Sequence, residues 1–150
     1  MRLDANGAWN RKRAHQWVEF LINKPIIEWL EQPLPILDIE GLWELSLRIP
    51  IALDESLAAD KSLVKTWRSW QVRRPVLEGD PRELLKELKN GASHKMLSTS
   101  FETGIGRRWV NHLAALQQQG PTPTAPGLAQ DWFPESDLFS SNPINVWEAA

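Results

Sequence analysis

The sequence predicts an α/β fold in which parallel strands are joined by crossover helices, amounting to part of a TIM-type (β/α) barrel. Short apolar runs alternate along the chain with longer segments of helical period, the pattern of strand-helix-strand units. Predicted strands end near residues 4, 31, 54, 74 and 98, so successive ends lie 27, 23, 20 and 24 residues apart, the length of one strand, one helix and two loops. A complete eight-stranded barrel takes about 250 residues, so a chain of 150 provides about five or six of its units. A doubly wound open sheet is the rival architecture, but no Gly-rich strand-to-helix turn supports a dinucleotide site.

Arg2-Leu3-Asp4-Ala5 ends the first strand, and Arg11 to Leu21 follows as a helix with Ala14, Trp17, Val18 and Leu21 on one face. Ile26 to Leu30 is the second strand. Leu37, Gly41, Leu42 and Leu45 mark a helix over Leu37 to Leu47, before a third strand at Ile49 to Leu53. A weaker helix over Leu57 to Trp67 leads to a fourth strand, Trp70 to Arg74. Asp80 as cap, Pro81 at the first helical position and Glu83 at capping-box spacing start the next helix, and Gly91 stops it. Lys95 to Ser98 is the fifth strand, and Gly106 to Gln118 an amphipathic helix carrying Trp109, Val110, Leu113 and Leu116. Residues 120–150 are rich in Pro, Gly and Ser, which predicts one short strand near Thr122 to Ala125 and then an irregular tail. The division is a partial barrel over 1–128 and a C-terminal tail over 129–150.

Composition narrows the function. With 42% hydrophobic and 24% charged residues the chain can bury one substantial core. A formal net charge of -2 gives no electrostatic reason to expect nucleic acid or anionic membrane as partners. Arg11-Lys12-Arg13 reads as a solvated first helical turn. The absence of cysteine excludes disulfides, thiolate metal sites and a Cys nucleophile. No apolar run reaches the roughly 20 residues of a membrane span, and MRLDANGAW has no signal-peptide apolar region, so a cytoplasmic protein is expected. Nine Trp with no Tyr are ascribed to packing. His15, His94 and His112 are isolated and suggest no metal cluster.

Three acidic residues stand at the C-terminal ends of successive predicted strands: Asp4, Glu31 and Asp54. In a parallel barrel those ends converge on one face, where active sites form. Each has a plainer reading when taken singly. Asp4 suits a turn in Asp-Ala-Asn-Gly, Glu31 precedes a Pro-rich loop, and Asp54 suits a helix cap. Carboxylates held together repel unless one is protonated or a cation intervenes, and hard oxygen ligands favour Mg²⁺, with Mn²⁺ as a substitute.

RLDANGAW, EQPL, ALDES, RRP before LEGDP, and STSFETGIG followed by APGL stand in the order and spacing of a known family. On these motifs nearly the whole chain resembles the o-succinylbenzoate synthases of the enolase superfamily. The resemblance implies a mixed α+β capping domain followed by a modified (β/α)₇β barrel, with these residues covering about strands 3 to 8. It implies that Asp4, Glu31 and Asp54 ligate Mg²⁺ and that Asn6 lines the site. It further implies that Ser98, Thr99 and Ser100 contact the succinyl carboxylate, often through backbone N–H groups; a self-satisfied strand-to-helix turn is the plainer alternative. Gly104 and Gly106 suit a loop lying close to a ligand, and Gly127 with Leu128 resembles the turn after the last strand.

The family's reaction is the Mg²⁺-dependent syn dehydration of 2-succinyl-6-hydroxy-2,4-cyclohexadiene-1-carboxylate to 2-succinylbenzoate, in menaquinone or phylloquinone synthesis. Its base is the second lysine of a Lys-x-Lys motif on barrel strand two, a motif that this sequence does not contain. A second lysine normally ends strand six, where this sequence has Arg74. Arginine cannot exchange its proton at useful pH, but it holds positive charge and can lie against a ring face. A racemase needs two titrating groups and a syn dehydration one, so Arg74 favours dehydration; pairing a neighbouring carboxylate is its structural alternative. A barrel beginning at strand three exposes an edge and an apolar interior, so either a separate N-terminal half or self-association is expected as partner, beside the small-molecule substrate. The chain alone is expected to be inactive. A non-catalytic fragment or interaction module is the second reading, and another superfamily activity, cycloisomerisation or N-acylamino acid racemisation, the third.

Overall fold

The computed structural model describes residues 1–129 and 133–150, so residues 130–132 of the predicted tail lie outside the described part. The chain groups into two compact units, Met1–Val72 and Arg73–Ala150.

The first unit runs β1 (Arg2–Asp4), α1 (Arg11–Leu21), β2 (Trp29–Glu31), α2 (Ile39–Ser46), β3 (Ile51–Leu53), α3 (Glu55–Ala59), α4 (Leu63–Thr66) and most of β4 (Trp70–Arg73). Its strands are parallel and lie side by side in chain order, as strand-helix-strand crossovers require. Register pairs Leu3 with Leu30 and Leu30 with Ile51, and the intervening row pairs Asp4 with Glu31, Glu31 with Ala52 and Ala52 with Trp70. Because strand side chains alternate between faces, the first row joins the cluster under α1 and α2, while the second, in which Ala52 and Glu31 are also buried, lies on the opposite face. Leu30, Ile51 and Leu53 are fully buried against Ala14, Val18 and Leu21 of α1 and Leu42 and Leu45 of α2. The predicted bounds of α1 match, with the Asn10 side chain accepting from the Arg13 N–H at 2.9 Å as N-cap. Tryptophan does pack here: Trp9 stacks on Trp17, Trp29 meets Trp70 and Trp43 meets Trp67 at ring-centroid separations of 5.2, 4.4 and 4.4 Å.

In this unit the starts of two strands and the course of one helix differ from expectation. The second strand starts at Trp29, not Ile26, because a turn in which Ile27 N–H donates to Lys24 O occupies the preceding residues. The third starts at Ile51, not Ile49, since Ile49 N–H still donates to Leu45 O and Pro50 has no N–H for the ladder. The helix predicted over Leu57 to Trp67 is two, broken where the Asp60 carboxylate accepts the Ser62 N–H at 2.9 Å and turns the chain.

The second unit begins with Arg73 at the end of β4 and continues through α5 (Pro75–Glu78), α6 (Arg82–Lys89), β5 (Lys95–Leu97), α7 (Gly104–Gln118), a 3-10 turn (Asp137–Phe139) and α8 (Pro143–Glu148). Ser98 N–H donates to Arg73 O at 2.9 Å, which sets β5 beside the end of β4. Leu84 and Leu88 of α6, Leu97 of β5, and Leu113 and Ala114 of α7 form its core. The N-cap of α6 is Pro81 and not Asp80, and no side chain caps the helix; Asp80 stands one residue earlier, where its carboxylate accepts the Arg82 N–H at 3.0 Å in a local turn. The short α5 was not anticipated; Pro75, with φ fixed for a first helical position, ends the strand one residue early. The strand expected near Thr122 to Ala125 reduces to one parallel bridge between Ser98 and Gly127. The tail is not irregular throughout, since Asn142 caps α8 and Val146 is buried. Gly104 and Gly106 lie in the first turn of α7 rather than in a loop; a Cβ on Gly104 would stand 2.0 Å from Ser140 O, so its close approach is to this chain's own backbone. No helix among the described residues is long and apolar enough to cross a membrane.

Candidate metal centre

In the first unit, Asp4 and Glu31 are register partners at the C-terminal ends of β1 and β2, and Asp54 follows the last residue of β3. Asp4 is exposed, and its Oδ1 accepts the Asn6 N–H at 2.9 Å, the turn role that its Asp-Ala-Asn-Gly context suggested. Asn6 has φ +47° and Gly7 φ +67°, a left-handed reversal that Asn and Gly tolerate best. Glu31 is buried, and the Trp29 indole Nε1 donates to its Oε2 at 3.2 Å. Asp54 is buried at the N-cap position of α3, but its side chain makes no capping hydrogen bond, so capping does not account for a carboxylate there.

Glu31 registers its acidic neighbours. Burial first, then the charges of Asp4, Asp54 and Glu55, push its carboxyl from 4.5 up to about 7, against the Trp29 indole, which favours the ionised form. Among the described residues no group of three or more His, Cys, Asp or Glu side chains is assembled in the form that holds a metal ion. Register therefore brings these carboxylates to one end of the sheet without drawing their oxygens into a closed cage. The donor set is chemically suited to a hard dication, being all carboxylate, partly desolvated and crowded by like charge.

A residue that sequence reasoning passed over organises this end of the sheet. Gln32 is fully buried with φ +35° and hydrogen-bonds to backbone or side chains in three strand-end segments. Its position between Glu31 and Pro33 was legible; its bonds to residues 22 and 24 positions away were not.

In the second unit, Arg74 precedes α5 and its Nη1 donates to Thr99 O at 3.0 Å. Thr99 N–H donates to Gly127 O at 3.0 Å and Ser98 Oγ to the same oxygen at 3.2 Å, so Arg74, Ser98, Thr99 and Gly127 form one hydrogen-bonded set. Ser100 points elsewhere: its N–H and hydroxyl, together with the Thr99 hydroxyl, donate to Glu102 Oε2 at 2.7, 3.1 and 3.0 Å. Much of the loop is thus satisfied internally, with Glu102 as the organising group that the motif reading missed. Arg73, next along, carries the carboxylate pairing considered for Arg74, donating through Nε to Glu78 and through Nη1 to Glu87, each at 2.7 Å.

Residues 1–68 match the enolase C-terminal domain-like family. The chain is 34% identical over 123 residues to the o-succinylbenzoate synthase of Thermosynechococcus vestitus, covering 75% of this chain and 38% of the relative. The crystal structure of o-succinylbenzoate synthase from Thermosynechococcus elongatus, complexed with Mg in its active site, aligns with a TM-score of 0.78 at 31% identity, over 99% of this chain and 49% of that one. A dipeptide epimerase from Enterococcus faecalis, complexed with Mg and a dipeptide, aligns with a TM-score of 0.63 at 30% identity, over 81% of this chain and 37% of that one. The chain therefore spans less than half the length of each of these proteins. Residues 1–68 thus carry the enolase C-terminal domain-like fold, and the α/β partial barrel is similar over nearly the whole chain to the C-terminal barrel portion of the o-succinylbenzoate synthases.

Proposed function

We propose that this chain is the metal-binding barrel portion of an o-succinylbenzoate synthase, a hydro-lyase forming 2-succinylbenzoate from 2-succinyl-6-hydroxy-2,4-cyclohexadiene-1-carboxylate on the route to menaquinone or phylloquinone. Asp4, Glu31 and Asp54 hold Mg²⁺, with Mn²⁺ able to replace it, and the shared row of Asp4 and Glu31 at the strand ends is the observation that carries this reading. The Glu31 carboxyl, raised by burial and like charge, becomes fully ionised when a dication offsets that charge. When bound, the cation counters the negative charge that builds on the substrate carboxylate as the alpha proton leaves. Asn6 lines the metal site beside Asp4, whose carboxylate its own N–H already fixes.

In the second unit, Arg74, tied to Thr99 O, presents a permanent cation to the substrate ring, and Ser98, Thr99 and Ser100, with Gly127, take the succinyl carboxylate by exchanging for it bonds made to Gly127 O and Glu102 in this structure. No Lys-x-Lys motif stands among these residues, so this reading takes the proton-abstracting lysine from a further barrel strand. Among the described residues β1 pairs on one side only, with β2, and that edge accepts the further strand.

The likeness to a dipeptide epimerase favours a second reading, proton exchange on both faces of a carbon. It requires a titrating group on each face, which Arg74 does not supply. A chimera in which these residues replace the matching segment of the Thermosynechococcus synthase separates the two. The proposal expects the chimera to form 2-succinylbenzoate and not to racemise dipeptides, and a folded, metal-binding chimera without dehydration overturns it.

A further inference from the structure

Gln32 is fully buried at the end of β2. Its φ of +35° lies in the left-handed region, where a residue with a Cβ is strained by about 1–2 kcal/mol. Such strain persists where the surroundings over-determine it and gathers at functional positions. The surroundings here do so. Nε2 donates to Leu34 O at 2.9 Å and to Ser56 Oγ at 2.8 Å, while Oε1 accepts from the backbone N–H groups of Asp54 at 3.3 Å and Ser56 at 3.2 Å. Both amide hydrogens are used, and the oxygen accepts two bonds. The orientation of the amide is fixed by its partners, because the side facing Leu34 O must donate and the side facing two N–H groups must accept. The backbone adds two bonds: Gln32 N–H donates to Ala52 O at 2.9 Å, and Gln32 O accepts from Gly7 N–H at 2.7 Å.

These bonds reach the three segments that carry the strand-end carboxylates. Gly7 closes the turn that Asp4 opens, Glu31 is the preceding residue, and Asp54 has its own N–H held by the Gln32 side chain. From this geometry we infer that Gln32 is a positioning residue for the metal centre, fixing the backbone from which Asp4, Glu31 and Asp54 project. The inference rests on the metal reading proposed above. Gln32 acts through other residues, by holding the N–H of Asp54 and, through Gly7, the loop after Asp4.

The test uses the whole 150-residue chain and Mn²⁺ as probe, with free Mn²⁺ read by electron paramagnetic resonance. Gln32→Met keeps an unbranched side chain of similar length and removes all four side-chain bonds. With far-UV circular dichroism unchanged, Mn²⁺ should bind about tenfold more weakly, the usual effect of losing a group that orients metal ligands, and the Asp54 and Gly7 amides should exchange faster without metal. A lower thermal midpoint with Mn²⁺ affinity and exchange at those amides unchanged overturns the inference and leaves the metal reading standing. An unsubstituted chain that binds no Mn²⁺ overturns both. If Gln32→Met does not fold, Ser56→Ala removes one acceptor from Nε2 while leaving the Asp54 bond in place. A loss in Mn²⁺ affinity of about threefold is then expected, and no loss overturns the inference.

Discussion

Glu31→Gln removes a buried ionisable group while keeping an oxygen for the Trp29 indole, which donates to Glu31 at 3.2 Å. In the unsubstituted chain, burial and then the charges of Asp4, Asp54 and Glu55 raise the Glu31 carboxyl from 4.5 to about 7. Between those values the folded chain keeps a proton that the unfolded chain has released, so unfolding free energy falls as pH rises through this window and levels off above it. At about 1.4 kcal/mol per pH unit the full fall is about 3 kcal/mol, an upper figure because water near the strand ends screens part of the charge. Glu31→Gln, neutral at every pH, escapes this loss. In chelator, urea unfolding followed by Trp fluorescence should find the two proteins nearly equal at about pH 4.5 and the variant more stable by up to about 3 kcal/mol at about pH 8. Mg²⁺ at the higher pH should then stabilise the unsubstituted chain and leave the variant nearly unchanged. A stability difference that is constant across the window refutes the reasoning.

Two further outcomes test the second unit. Gly104→Ala places a methyl 2.0 Å from Ser140 O, so it should destabilise by about 1–3 kcal/mol and speed chymotrypsin cleavage near Phe139; unchanged cleavage contradicts the close approach. Arg73 is 4% exposed and is bonded to Glu78 and Glu87, while burial holds the nearby Lys95 below the usual lysine range. Arg73→Leu should cost roughly 3 kcal/mol in thermal or urea unfolding, the low end for a broken buried pair because both glutamates keep some contact with water, and a neutral result contradicts the burial assigned to this cluster.

The β/α order and the row of strand-end carboxylates were legible because both are local: apolar period and a motif at the end of each run. Helix α1 was read to the residue from the recurrence of its apolar face alone; the Asn10 cap that fixes its start came only with the structure. Strand starts were read early at Ile26 and Ile49, where apolar residues precede a strand but their backbone groups serve a turn or a helix end. Helix α8 had its signals, Asn142 as cap and Pro143 at the first helical position, but six residues are too few for a period to show. The Gln32 network was beyond sequence reasoning for a different reason. A glutamine before proline announces neither a positive φ nor bonds to residues two dozen positions on, both of which depend on how neighbouring strands bring their loops together. Glu102 was hidden likewise, inside a motif whose hydroxyls drew the attention that belongs to their shared acceptor.

Crystals of the chain grown with Mn²⁺, studied by anomalous diffraction, test the central claim most directly. The account predicts one peak at the C-terminal ends of β1, β2 and β3, with an oxygen from each of Asp4, Glu31 and Asp54 at about 2.1 Å. A peak elsewhere, or none at saturating metal, contradicts it.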